Sequence, residues 1–212
     1  MEIVPLENTG FSYQDVLNLI HSAFQQWEEL GIESSLLSLT LEQFIERTKD
    51  SMVFIAIEDG NLVGTTTCSI LKDKYNIAYA FNKYSAVLNM KKKSGVGTLL
   101  LNAEKQFVKE NGCEYIISDT SVLATWSIKW HKKNNFRIIG YKSFSNNRYY
   151  SYVFRCQLTS PSIWNNVLFT QLVYRCSMLK TKAVKKSDGS LTALGRLIMS
   201  YICAINKIID LR

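Results

Sequence analysis

Lys92-Lys93-Ser94-Gly95-Val96-Gly97 stands between an apolar stretch, Tyr84 to Met90, and a helix that Thr98 opens. A strand, a glycine turn and a helix start, in that order, make an anion cradle. Backbone N–H groups freed by the turn point the same way as the unpaired donors of the helix's first turn, and the helix dipole adds partial positive charge. Phosphate suits such a cradle, although the glycines alone do not say which phosphate compound. A dinucleotide fingerprint needs a third glycine where Leu100 stands, and a P-loop needs Gly-Lys-Ser/Thr after four residues, which is absent. A turn that only packs helix on strand would explain the glycines but not the three neighbouring lysines.

The rest of the chain gives this stretch its setting. With 212 residues, 47% of them hydrophobic, it suits one domain with a sizeable core, or a domain with an appendage. Cys68, Cys113, Cys156, Cys176 and Cys203 are scattered and include no CxxC pair, which argues against a disulfide framework or a zinc site and for a reducing compartment. Met1 to Pro5 lacks the charged and apolar regions of a signal peptide, and no run of about 18 apolar residues suggests a membrane span, so a cytoplasmic protein is expected. The net charge is +7, but residues 159–212 hold eight Lys and Arg against Asp188 and Asp210, which leaves residues 1–158 close to neutral. A field spread over the whole protein is thus a poor explanation of the basicity, and no nucleic-acid partner is expected.

Ser12 is placed to cap a helix running to about Leu30, with Val16, Leu17, Leu19, Ile20, Ala23, Phe24 and Trp27 as its apolar stripe and Gly31 as its end. Thr40 caps a second, short helix to about Lys49. Met52 to Ile57 and Leu62 to Leu71 read as strands joined by the hairpin signal Asp59-Gly60, and Tyr75 to Met90 as a third long strand. Beyond the cradle come a helix stopped by Asn111-Gly112, a strand from Tyr115 to Asp119, a short helix from Ser127 to Asn134, and strands from Phe136 to Tyr141 and Arg148 to Gln157. This order puts an antiparallel meander before one βαβ crossover. It predicts a mixed α/β (α+β) class, with a mostly antiparallel sheet of about six to seven strands flanked by helices.

Val87-Leu88-Asn89-Met90-Lys91-Lys92-Lys93-Ser94-Gly95-Val96-Gly97 resembles the acetyl-CoA signature of the GNAT superfamily of N-acyltransferases: an apolar strand residue, then Arg or Gln, two residues, Gly, one residue, and Gly or Ala. Ser127 to Phe136 is similar to the later family segment, usually Ala-x-x-Phe-Tyr-x-Lys-x-Gly-Phe. The resemblance covers residues 1–158 and implies the acyl-CoA N-acyltransferase fold, with acetyl-CoA as the cofactor. Backbone groups of Val87 and Leu88 would then hold the pantetheine arm and polarise the thioester carbonyl. Lys92, Lys93, Ser94, Gly95, Val96, Gly97 and Thr98 would bind the pyrophosphate. Lys92 replaces the usual Arg or Gln and gives up the bidentate fork, Ala124 replaces an Asn that often bonds the pantetheine arm, and Asn135 replaces a Gly whose left-handed turn Asn tolerates.

The implied reaction is direct attack of a primary amine on the thioester in one ternary complex, without a metal, the amine belonging to a small amine, an amino acid or an amino sugar. His131 occupies the place of the tyrosine that protonates the departing thiolate, and an unperturbed pKa of about 6.5 suits that task. No Asp or Glu lies on the strand Tyr79 to Val87, so Asp119 is the candidate base, with a water relayed by Tyr84, Ser85 or Asp119 as another route. Glu28, Glu29 and Glu33 would attract a cationic amine; His21 reads as helix surface or packing. The rival is a catalytically inactive module that binds acyl-CoA as a regulatory ligand or scaffolds a partner through its C-terminal helices.

Residues 159–212 exceed the usual domain. They predict two helices, Ile163 to about Lys182 and one after Asp188-Gly189-Ser190 with Leu191, Leu194, Leu197, Ile198, Tyr201, Ile202, Ile205, Ile208 and Ile209 on one stripe. Such a stripe must be buried on the domain, in a homodimer, or on a membrane surface drawn by Lys180, Lys182, Lys185 and Lys186.

Overall fold

The computed structural model describes residues 1–29, 34–73, 75–143 and 150–159, with isolated positions 193 and 197. Glu33 and, apart from those two positions, the helices expected beyond residue 160 lie outside the described residues. The chain falls into two compact units, Met1–Ser118 and Asp119–Arg212. No described helix is long and apolar enough to cross a membrane.

The first unit holds strands β1 (Glu2–Pro5), β2 (Ser51–Glu58), β3 (Asn61–Lys72) and β4 (Ala78–Val87), and most of β5 (Tyr115–Ser121), with helices α1 (Tyr13–Glu29), α2 (Leu41–Thr48) and α3 (Val96–Glu110). Its sheet order is β1-β2-β3-β4-β5; all pairs are antiparallel except β4 with β5, which α3 joins as the crossover. The mixed sheet flanked by helices is therefore as expected from the order of elements. Six consecutive residues of β3, Val63 to Cys68, are buried, so both faces of this strand are covered.

The helix starts carry the caps that the sequence announced. Ser12 and Asp15 bond reciprocally, Asp15 N–H to Ser12 Oγ at 3.2 Å and Ser12 N–H to Asp15 Oδ2 at 2.7 Å. Thr40 and Gln43 form a complete capping box on α2. Asp59 and Gly60 both have positive φ, 51° and 75°, which is the geometry of the tight hairpin turn they were expected to make.

Three boundaries moved. The long strand expected over Tyr75 to Met90 is cut at both ends. Asp73 Oδ1 accepts the N–H groups of Tyr75 and Ile77 to close a turn before Ala78, and Asn89–Lys91 winds into a 3-10 turn after Val87. The helix expected to open at Thr98 begins at Val96, so Gly97 lies inside its first turn. β1 was not anticipated, because four residues ending in Pro give no alternation to read.

Gly64 sets how closely α3 meets the sheet. A Cβ built there would lie 2.9 Å from Val96 Cγ1, 3.1 Å from Leu100 Cδ1 and 3.3 Å from the Ala86 carbonyl oxygen. Val96 is stiff and buried, so the helix start would have to move. Gly64→Ala is expected to cost about 1–3 kcal/mol by overpacking, read as a lower urea midpoint at an unchanged slope.

The second unit contains α4 (Thr125–Lys133) and the antiparallel hairpin strands β6 (Arg137–Ser143) and β7 (Tyr150–Gln157), paired from Arg137↔Arg155 to Ser143↔Tyr150. Its core is Phe136, Ile138, Tyr152 and Phe154. Asn135 takes the left-handed conformation expected of it (φ 68°), Phe136 N–H returns to His131 O at 3.0 Å, and Asn135 N–H returns to Lys132 O at 3.3 Å. This is a Schellman ending, made with Asn in the usual glycine place.

Candidate functional site

The site is built where β4 stops being a regular strand. Its pairing with β3 runs Thr65↔Ala86 and then Thr67↔Lys83, so Thr66 faces both Tyr84 and Ser85 across a bulge, and Tyr84 has φ 55°. The parallel pairing with β5 covers only Tyr79↔Tyr115 to Phe81↔Ile117. After Val87, Leu88 N–H donates to Val63 O at 3.0 Å, so its expected use as a thioester donor would require that bond to be shared.

The cradle follows. Lys93 and Gly95 have φ of 69° and 96°, and this pair of left-handed residues turns the chain into α3. Gly95 is the N-cap residue, its carbonyl accepting from Thr98 N–H at 2.9 Å and Leu99 N–H at 3.0 Å. Among the described residues the N–H groups of Gly95, Val96 and Gly97 have no hydrogen-bond acceptor, and the buried Val96 side chain pins the turn that presents them. Thr98 N–H is satisfied internally, which leaves that residue a boundary of the cradle.

The three lysines are used differently. Lys91 pairs with Glu58, which raises its pKa and anchors the 3-10 turn. Lys92 Nζ donates to Gln26 Oε1 on α1 at 2.7 Å, and partial burial lowers its pKa. Lys93 is exposed, as is Ser94, whose hydroxyl donates to Lys91 O at 2.6 Å. Cationic side chains beside unpaired N–H groups suit a dianionic or more highly charged phosphate compound.

The two proposed proton-transfer residues lie in the second unit. His131 is 4% exposed; its Nδ1 carries a hydrogen to Ser127 O at 2.8 Å, its ring stacks on Phe154 at 4.3 Å and meets Phe136 edge-on at 5.1 Å. Burial pushes its pKa down to about 4, against a smaller opposing effect from the Ser127 bond. An imidazolium acid is therefore opposed by its own surroundings at neutral pH. Asp119 has its pKa raised by burial, with Lys142 and a hydrogen bond from Ser151 pulling the other way, which suits a base. Ala124 is fully buried and offers no side-chain cap to α4. Of the acidic residues expected near an amine, Glu28 is exposed at the end of α1. His21 has an unpartnered, buried Nε2 among the described residues.

The model of the GNAT acetyltransferase family matches residues 13–136, more than half of the chain and the whole of the cradle. The chain belongs to the GNAT acetyltransferase family. No curated protein matches the sequence. Among solved structures, a GNAT-family protein from Desulfovibrio desulfuricans has a TM-score of 0.60 at 14% identity, covering 74% of this chain and 99% of its own. An aminoglycoside 6'-N-acetyltransferase complexed with coenzyme A has a TM-score of 0.57 at 16% identity, covering 76% and 99%. A NatC complex bound to a Gag peptide and coenzyme A contributes a chain with a TM-score of 0.56 at 15% identity, covering 75% and 100%. At these identities the likeness concerns the fold.

This GNAT chain also holds a buried polar cluster that its sequence did not reveal. Glu104 on α3 is fully buried. Its Oε2 accepts from Asn82 Nδ2 at 2.5 Å and from Thr66 Oγ1 at 3.4 Å, while Oε1 has no partner among the described residues. Asn82 Oδ1 in turn accepts from Ser85 at 2.9 Å and Ser118 at 3.3 Å, just past the point where β4 and β5 cease to pair. Desolvation raises the Glu104 pKa to about 8, against the bonds from Asn82 and Thr66. The signal was its spacing: Leu100, Glu104 and Val108 share one face of α3, and both flanking residues are buried.

Proposed function

We propose that this GNAT protein is an acetyl-CoA-dependent N-acetyltransferase that moves an acetyl group directly to a primary amine within a ternary complex. The observation that carries this reading is the row of N–H groups at Gly95, Val96 and Gly97, without an acceptor among the described residues, behind a bulged β4 and flanked by Lys92 and Lys93. Acetyl-CoA would supply an activated acyl group on a thiol leaving group. The chain's part is to hold the pyrophosphate at Lys92 to Gly97, lay the pantetheine along Val87 and Leu88, and take the proton that the amine sheds. Asp119 on β5, whose carboxyl burial holds above the usual carboxylate range, is the candidate base. His131 we read as a packing residue, and the departing thiolate then takes its proton from solvent.

The acceptor is a small amine, an amino acid or an amino sugar, a reading supported by the family and by one similar structure being an aminoglycoside 6'-N-acetyltransferase. A cytoplasmic setting fits the scattered cysteines, three of which are buried free thiols. We place the GNAT domain at residues 1–158, with residues 159–212 as an extension.

The burial of His131 also favours a second reading, an acyl-CoA-binding module without turnover. A thiol-release assay with acetyl-CoA across a panel of amines, amino acids and amino sugars separates them. Thiol release that depends on one class of acceptor is expected; coenzyme binding with no release for any acceptor would establish the module.

A further inference from the structure

We propose that Glu104 is the terminal proton acceptor of the transfer reaction, reached from the exposed face of β4 through the hydroxyls of Ser85 and Thr66. The inference rests on the acetyltransferase reading above and puts Glu104 in the role of base for which Asp119 was the candidate there. Ser85 is exposed at the bulge, whereas Thr66, Asn82 and Glu104 are 2%, 6% and 0% exposed. Ser85 Oγ and Thr66 Oγ1 are 2.7 Å apart, Thr66 Oγ1 lies 3.4 Å from Glu104 Oε2, and Asn82 Nδ2 donates to both of the latter groups, at 2.9 and 2.5 Å. One hydroxyl chain therefore runs from the surface of the strand to a carboxyl with no other exit shown by these bonds.

A fully buried carboxyl that only packed would be expected to have its polar atoms matched, since each unmatched one costs free energy. Among the described residues Glu104 Oε1 has no partner, and Oε2 is shared by the Thr66 hydroxyl and the Asn82 amide. Its surroundings place its titration in the working range of a base at neutral to alkaline pH. The titratable groups around it are few. Cys68 on β3 is held protonated by burial and by Glu104 itself, with Cys113 adding to this and Lys83 opposing it, and Lys105 on α3 favours the carboxylate weakly.

The step balances as follows. The amine nitrogen bonds to the thioester carbonyl carbon and the carbon–sulfur bond breaks. The proton leaving nitrogen passes to Ser85 Oγ as the Ser85 proton passes to Thr66 Oγ1 and the Thr66 proton to the Glu104 carboxylate. The thiolate takes a proton from solvent, and the Glu104 proton returns to solvent by the same two hydroxyls. In the resting arrangement Ser85 donates to Asn82 Oδ1, so the relay needs one hydroxyl rotation toward Thr66.

The test compares wild type, Glu104→Gln and Ser85→Ala. With an acceptor found in the thiol-release panel, wild type is expected to show an ascending limb of kcat near pH 8; Glu104→Gln should remove the limb and lower kcat roughly 100-fold, and Ser85→Ala should lower kcat by a similar order. The coenzyme A dissociation constant should stay unchanged in both. An unchanged limb in Glu104→Gln overturns the relay and leaves Asp119 as the base. Failure of the transferase reading looks different, as no acceptor would then release thiol from the wild-type protein. The relay retains an independent readout in that case: infrared titration of the Glu104 carboxyl, identified by its loss in Glu104→Gln. Reversible titration between pH 7 and 9 in the folded protein is expected, and a carboxyl still protonated at pH 10 overturns the proposal.

Discussion

Gly97→Asp is expected to raise the coenzyme A dissociation constant by about 100-fold or more while leaving the fold intact. Gly97 occupies the first turn of α3, and its N–H is one of three there without an acceptor among the described residues. A carboxylate at that position would stand beside the pyrophosphate that these donors are proposed to hold. Two unit charges about 4 Å apart repel by about 4 kcal/mol at an effective dielectric of about 20, which exceeds what a 100-fold loss requires. The same carboxylate favours the helix, since acidic side chains stabilise a first turn through its dipole and free N–H groups. Loss of binding would thus be separable from unfolding, by calorimetric titration of coenzyme A beside thermal unfolding of the variant. Unchanged affinity would remove the cradle from the site.

The turn into α3 was legible because the residues that make it are contiguous. Glycines in a short span, a preceding apolar strand and a following helix are all contiguous, and the positive φ at Gly95 is what a glycine there allows. Asp59-Gly60 and the caps at Ser12 and Thr40 were legible for the same reason. The bulge at Tyr84 was not, since it is set by register against Thr65 to Thr67, some twenty residues earlier in the chain. The buried carboxyl beside β4 presents the same difficulty in another form. β4 itself carries no acidic residue; the carboxyl at that strand comes from α3, where Glu104 sits four residues after Leu100 and four before Val108, both buried. A charged residue interrupting a buried stripe at helical spacing is the signal that would have found it.

His131 presents the opposite situation, a residue whose type suggests chemistry and whose position gives it burial and ring contacts. Its ring fills the contact that a Schellman ending commonly makes between the third residue from the end and the second residue beyond the cap, here His131 with Phe136, and Phe154 closes its other face. A sequence shows neither Phe154, twenty-three residues on, nor the burial that these rings impose. Histidine's usual pKa is thus a poor guide at this place, because desolvation dominates.

The consequence is an acid sensitivity with a definite sign. With its folded pKa at about 4 and its unfolded value at about 6.5, the unfolded chain binds more protons between those limits. The contribution of His131 to stability is therefore complete above about pH 6.5 and is lost as pH falls toward about 4, by roughly 3 kcal/mol at most. Glu104 acts in the reverse direction: its raised pKa means that stability falls as pH rises from its ordinary carboxylate range to about 8. Between about pH 4.5 and 6.5 the two slopes oppose each other, so wild type should show a shallow profile that either substitution exposes. His131→Phe keeps an aromatic ring against Phe136 and Phe154, and urea unfolding across pH 4 to 9 should show the acid-side loss gone and the alkaline-side decline standing alone. Thiol release by this variant is expected to match wild type at pH 7. If turnover instead collapsed while coenzyme affinity and stability were retained, His131 would be the acid after all, and the ring would have to reach its protonated state against the burial that now holds it neutral.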